Sequence, residues 1–286
     1  MTASTQLLII DPQNDFCDLP ESWRATDPVS GAPQAPALPV AGAHADMQRL
    51  AAFIRDAGDT LDDITITLDS HNRLHIAHPT FWQRGDGGEV SPFTAITAAD
   101  VRAGTYRTRD ASAQARALKY VEALEARGRY TLMVWPVHCE IGSWGHGVHP
   151  AVRAAYNAWE VRRLLVVRKV AKGSNLWTEH YSALQAEVPD PSDPDTLLNQ
   201  GLLGVLERAD TLIVAGEAGS HCVKSTVEDF ADQLPGGRAD RLVLLTDCMS
   251  PVGGFQAQHD AFLQGMAARG ARLATSTEVL ATLRNR

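Results

Sequence analysis

Thr211-Leu212-Ile213-Val214-Ala215-Gly216-Glu217-Ala218-Gly219-Ser220-His221-Cys222-Val223 contains the transition that decides the fold. Thr211 to Ala215 is a largely apolar, β-branched run, the composition of a strand buried on both faces. The run stops at Gly216, and beyond it Val223, Val227, Phe230 and Leu234 recur at the spacing of an amphipathic helix that opens at Cys222. A buried strand feeding a helix is half of a βαβ unit, so the chain is expected to be built on a parallel sheet covered on both faces. The junction also sets a thiol at a helix N-terminus. There the unpaired N–H groups and the positive end of the helix dipole favour a thiolate and can hold an oxyanion.

The same alternation extends outward in both directions. Strands are expected near 6–11, 63–69, 130–135, 164–169, 211–216 and 241–247, six in all. Between them Met47, Leu50, Ala51 and Ile54, then Ala117, Leu118, Val121 and Leu124, fall on helical faces. A further helical stretch runs from about Gln258 to Gly270, and a short Glu278–Leu283 helix closes the chain. Four segments rich in Gly, Pro or Asp, at 19–42, 84–110, 139–160 and 188–196, are read as loop insertions in a single domain spanning 1–286.

With 44% hydrophobic and 21% charged residues over 286 positions, the chain can bury a sizeable core. A net charge of −8 without a basic run argues against a nucleic acid or an anionic membrane surface as partner and leaves a small molecule as the expected substrate. Cys17, Cys139, Cys222 and Cys248 are widely spaced and form no CxxC, which points away from a disulfide framework or zinc finger and toward a reducing cytoplasm. The apolar stretch that runs into Asp11-Pro12 has no basic region before it and is too short for a signal peptide, so none is expected, and no apolar run is long enough to span a bilayer.

Open parallel sheets bind ligands at the carboxyl ends of their strands, and those ends are unusually polar here. Asp11 and Asp69 end the first two strands, and His138, Lys172 and Cys222 follow the next three. A cysteine nucleophile needs a base and a charge partner, which Asp11 and Lys172 can supply; Lys172 near the sulfur would also lower the thiol pKa. Asp69 and His71 share one face of an extended chain, so both can reach one divalent metal, with His138 as a third ligand. His75, His78, His146 and His149 lie nearby, and spacing alone does not choose among them. These four are read as solvated loop or structural residues.

Taken together, these segments resemble the isochorismatase-like cysteine hydrolases, most closely the nicotinamidases. Asp11-Pro12-Gln13-Asn14-Asp15-Phe16-Cys17, Asp69-Ser70-His71 with His75-Ile76, Trp135-Pro136-Val137-His138-Cys139, Lys172-Gly173 with Tyr181-Ser182-Ala183-Leu184, and Gly216 to Lys224 occur in that family's order. Ser70, Asn72, Ala77-His78 and Leu184 depart from its pattern.

The resemblance implies a three-layer α/β/α fold whose mainly parallel six-stranded sheet has the Rossmann-like order 3-2-1-4-5-6. It implies a triad of Asp11 (general base), Lys172 (charge partner) and Cys222 (nucleophile), and an oxyanion hole from the N–H groups of Ala218 and Cys222 after a cis Glu217–Ala218 peptide. It further implies a divalent metal, zinc ahead of iron or manganese, on Asp69, His71 and His138. Phe16 and Trp135 would grip a planar substrate, and the protein would be a homo-oligomer. The expected reaction is hydrolysis of a small planar carboxamide, nicotinamide foremost, to acid and ammonia through a thioester. Another amide, a ureido compound or an isochorismate-like ether on the same fold is the nearest alternative, and a catalytically silent binding protein is the alternative from another class.

Overall fold

The computed structural model describes residues 3–284. Its strands are β1 (Thr5–Ile10), β2 (Asp63–Asp69), β3 (Trp82–Arg84), β4 (Thr94–Ile96), β5 (Tyr106–Thr108), β6 (Leu132–Val134), β7 (Arg168–Lys172), β8 (Thr211–Gly216), β9 (Leu242–Leu245) and β10 (Arg272–Ala274). Its α-helices are α1 (Ala43–Ala57), α2 (Ala98–Ala103), α3 (Gln114–Arg127), α4 (Pro150–Arg163), α5 (Gln200–Leu206), α6 (Cys222–Gln233), α7 (Gln256–Ala268) and α8 (Ser276–Arg284).

Six strands form one all-parallel sheet in the order β10-β9-β8-β1-β2-β7. Numbered among themselves along the chain, these strands have the expected order 3-2-1-4-5-6. Every residue of β1 is buried, and β8 is buried from Leu212 onward, so apolar layers cover both faces of the centre. Helix α1 packs on α4 and α8, and α6 packs on α7. The chain order reverses between β1 and β8, which opens a crevice at their carboxyl ends. Register then places the polar residues: Ile10 lies beside Gly216, bringing Asp11 to the start of the α6 loop, and Asp69 lies beside Lys172.

Two of the six expected sheet strands differ. The 130–135 run contributes only Leu132–Val134, which leaves the main sheet to pair antiparallel with Thr94–Ile96. Its place in the count is taken by β10, a three-residue edge strand too short for a periodicity signal. The 164–169 strand begins four residues later, at Arg168. Leu164, at φ 52°, ends α4 in the left-handed region, and Leu164 and Val166 are exposed despite their apolar side chains. Edge strand β7 is mostly exposed and reads as polar, so hydrophobicity pointed to the wrong stretch.

The inserted segments are also more ordered than loops. Within 84–110 a Thr97/Asp100 capping box starts α2, and Gly104 at φ 73° ends it. Residues 150–160 belong to α4, started by Pro150 in its first turn with the His149 side chain accepting the Ala151 N–H. Among the described residues no helix is long and apolar enough to cross a membrane.

The α1 face that seats on this core carries Met47, Leu50 and Ile54, all fully buried. Leu50→Ala is expected to lower stability by about 2–5 kcal/mol, seen as a fall in the urea midpoint at unchanged m.

Candidate active site

Asp11 leaves β1 at φ 44°, a left-handed conformation that turns its carboxylate back across the strand ends. Thr67 of β2 holds it there, accepting the Asp11 N–H at 3.1 Å and donating its hydroxyl to Oδ1 at 2.6 Å. Thr67 stands two residues before Asp69 and so shares its side of β2, a period-two signal that could have marked it in the sequence.

The Lys172 ammonium, 3% exposed, is ringed by four partners. Asp11 Oδ2 and Asp69 Oδ1 both lie 3.0 Å from Nζ, the His180 carbonyl accepts at 2.9 Å, and Cys222 Sγ is 3.6 Å away. The three far-apart triad candidates therefore meet at one point. Burial opposes the lysine charge, but the Asp11 and Asp69 carboxylates hold its pKa well above the ordinary value. Burial likewise raises the Asp11 carboxyl, against the pull of Lys172.

Cys222 departs from expectation. Burial pushes its thiol well above the usual range, and the Asp11 and Asp69 carboxylates add to this while Lys172 pulls the other way. Only 5% exposed, the sulfur is kept from the water that would solvate a thiolate, which favours a resting thiol.

The Glu217–Ala218 peptide is cis. The Ala218 carbonyl accepts the N–H groups of His221 and Val223, so the chain wraps back over the start of α6. Among the described residues neither the Ala218 N–H nor the Cys222 N–H donates to a backbone acceptor, which leaves two donors beside the sulfur.

Asp69 connects this triad to a second cluster. Its Oδ2 lies 3.0 Å from His71 Nε2 and 3.3 Å from His138 Nε2, and these three side chains present ligand atoms within 4.8 Å of one another. Nδ1 of His71 meets the Gly173 carbonyl at 3.0 Å and Nδ1 of His138 meets the Pro136 carbonyl at 2.8 Å. A backbone carbonyl on Nδ1 fixes the proton there and turns Nε2 toward the carboxylate, the arrangement of imidazoles that bind a metal. The donor set thus fits a divalent cation. Gln13 clamps the Asp69 backbone from both sides, its Oε1 accepting the N–H at 2.7 Å and its Nε2 donating to the carbonyl at 2.8 Å.

The neighbouring histidines are not solvated: His75, His78 and His149 are fully buried, and His146 is half-buried. Buried imidazoles need partners, and His75 uses both nitrogens, toward Thr178 and Ala77, so it has none left for a metal. Burial drives the His75 pKa far down and that of His78 down to about 2, leaving both neutral.

Phe16 lies edge-on to His138 with ring centres 5.5 Å apart. Trp135 stands 5.2 Å from the His221 ring, and its indole N–H donates to the Tyr181 hydroxyl at 2.9 Å. The two expected ring-gripping residues therefore sit beside the Asp69, His71 and His138 cluster and beside the residue that precedes Cys222, respectively. The sequence did not reveal that Tyr130, Tyr181 and Phe255 also surround His221, because these positions share no period and meet only through the fold.

The fold, a parallel sheet with a crevice at its strand ends, is similar to those of solved nicotinamidases and pyrazinamidases. The nicotinamidase/pyrazinamidase of Acinetobacter baumannii superposes with a TM-score of 0.61 at 19% identity, over 98% of this chain and 99% of that one. The yeast nicotinamidase bound to the inhibitor nicotinaldehyde gives 0.60 at 18% identity, over 95% and 99%. The Pyrococcus horikoshii pyrazinamidase in complex with zinc gives 0.52 at 16% identity, over 95% and 99%. No protein-family model and no curated protein sequence matches the chain.

Because the resting Cys222 is a buried thiol, iodoacetamide should alkylate it more slowly than free cysteine at about pH 7.5, with a rate still climbing above about pH 9. A plateau below about pH 8 by mass spectrometry would show a resting thiolate instead. Lys172→Met should cost about 3–5 kcal/mol in chemical denaturation, since it strands two buried carboxylates.

Proposed function

We propose that the protein is a metal-containing cysteine amidohydrolase that converts a small planar carboxamide, nicotinamide foremost, to its carboxylic acid and ammonia. The observation that carries this reading is one buried ammonium contacting a cysteine sulfur at 3.6 Å and an aspartate at 3.0 Å, with free amides at Ala218 and Cys222. A silent binding protein would account for the buried ion cluster but not for a thiol and two free amides converging on it.

The chemistry follows from those positions. Asp11 takes the Cys222 proton as sulfur attacks the amide carbon, and the N–H groups of Ala218 and Cys222 hold the oxyanion. Lys172 keeps the carboxylate aimed and compensates its charge. As the carbon–nitrogen bond breaks, Asp11 gives its proton to the departing nitrogen, releasing ammonia and leaving a thioester. A water then loses a proton to Asp11 and attacks the thioester carbon; the acid departs and the proton returns to sulfur.

Asp69, His71 and His138 would hold the divalent cation, which supplies a Lewis-acid position able to bind a heteroaromatic ring nitrogen. Phe16 and Trp135 would flank the ring. The charges point the same way: Asp11, Asp69 and the buried Glu179, 4.0 Å from His71 Nε2, outnumber the one Lys172 ammonium, so the cluster would accept added positive charge.

Ammonia release over a panel of nicotinamide, benzamide and an aliphatic amide, with metal analysis of the same preparation, tests the reading. Nicotinamide should turn over fastest, and Cys222→Ala should bind it while losing at least about 10³-fold in rate. Turnover of Cys222→Ala near wild type, or no ammonia from any planar carboxamide, would remove the reading.

A further inference from the structure

Six histidines gather near the carboxyl ends of β2 and β7, and their ring nitrogens can be accounted for one by one. His71 and His138 each spend Nδ1 on a carbonyl and turn Nε2 to Asp69. His75 is satisfied at both nitrogens, and His146 meets the Ser70 hydroxyl at 2.9 Å. His180 accepts the Gly173 N–H on Nδ1 at 3.3 Å, so its proton is on Nε2 and that unpartnered atom is a donor. His78 is the reverse case. Its Nδ1 faces the Arg73 carbonyl at 3.3 Å and carries the proton, so its buried, unpartnered Nε2 offers a bare lone pair.

That lone pair has no solvent to meet, since His78 is fully buried. Leaving a buried acceptor unmatched costs about 1–3 kcal/mol, so a donor is called for. The ring centre lies 5.2 Å from that of His71 and 5.3 Å from that of His138, and a His78 nitrogen comes within 4.8 Å of a His71 nitrogen. His78 groups with His71 and His75, and because His75 has spent both nitrogens, His78 stands beside the set of Asp69, His71 and His138 rather than within it.

We propose that His78 Nε2 accepts a hydrogen bond from a water carried by the cation at Asp69, His71 and His138, and that this contact tightens the chain's hold on the metal. The proposal rests on reading those three residues as a metal site. A neutral imidazole suits the task because it accepts without adding charge, and packing against His71, His75 and His138 holds its ring in place. His78 is thus a positioning residue.

The test is a metal titration of the full chain, stripped by chelator dialysis, with Co²⁺ competed against a chromophoric chelator. His78→Phe fills the ring's space without an acceptor and should bind Co²⁺ about 10–100-fold more weakly than wild type. His78→Gln, whose amide oxygen can accept, should recover part of that loss and the wild-type Co²⁺ absorption bands. Melting of the stripped proteins separates folding from binding: if His78→Phe melts early, the comparison of His78→Gln with wild type decides. Equal Co²⁺ affinity in wild type and His78→Phe, or a Gln variant as weak as the Phe variant, overturns the role of His78 while leaving the three-ligand site standing. Wild type that takes up no Co²⁺ overturns the metal site and this proposal together.

Discussion

The Lys172 ammonium, buried between two carboxylates and against a sulfur, is the interaction on which the rest of the site depends. Each partner arrives on a different strand end: Asp11 after β1, Asp69 at the end of β2, Lys172 at the end of β7 and Cys222 after β8. A charge taken out of water is tolerated only when paired and hydrogen-bonded, so the cluster demands that these strands keep their register. The pairing of Asp69 with Lys172 across β2 and β7 meets that demand directly.

A supporting layer fixes the groups that do not touch the lysine. Thr67 binds Asp11 through backbone and side chain, and Gln13 clips the Asp69 backbone while also donating to the His146 carbonyl. Asp15 accepts the N–H groups of Cys139 and Ala37, tying the segment after His138 to the first loop. The stretch from Asp11 to Asp15 is therefore both a chemical element and the brace that joins the insertion at 19–42 to the strand ends.

How much of this was legible follows from where each residue lies. The central strands announced themselves because burial on two faces requires unbroken apolar runs, as in Leu7 to Ile10 and Leu212 to Ala215. The edge strands did not, because β7 faces solvent and β10 has only three residues. Asp11, Lys172 and Cys222 could be singled out as candidates because they lie at strand ends around a switch point, where such sheets bind ligands. The protonated state of Cys222 could not, because a helix N-terminus favours the thiolate and only the fold shows that burial outweighs it. Nor could the aromatic surround of His221 be read, since Tyr130, Tyr181 and Phe255 come from three separate segments.

Asp69 divides its two oxygens, one to the ammonium and one to the imidazoles. The electrostatics around the sulfur and the occupancy of the neighbouring cluster consequently share a single side chain and cannot be tuned apart. A cation seated at that cluster would be felt at the lysine within one carboxylate's width. Anyone engineering this scaffold would have to optimise both sites as a unit.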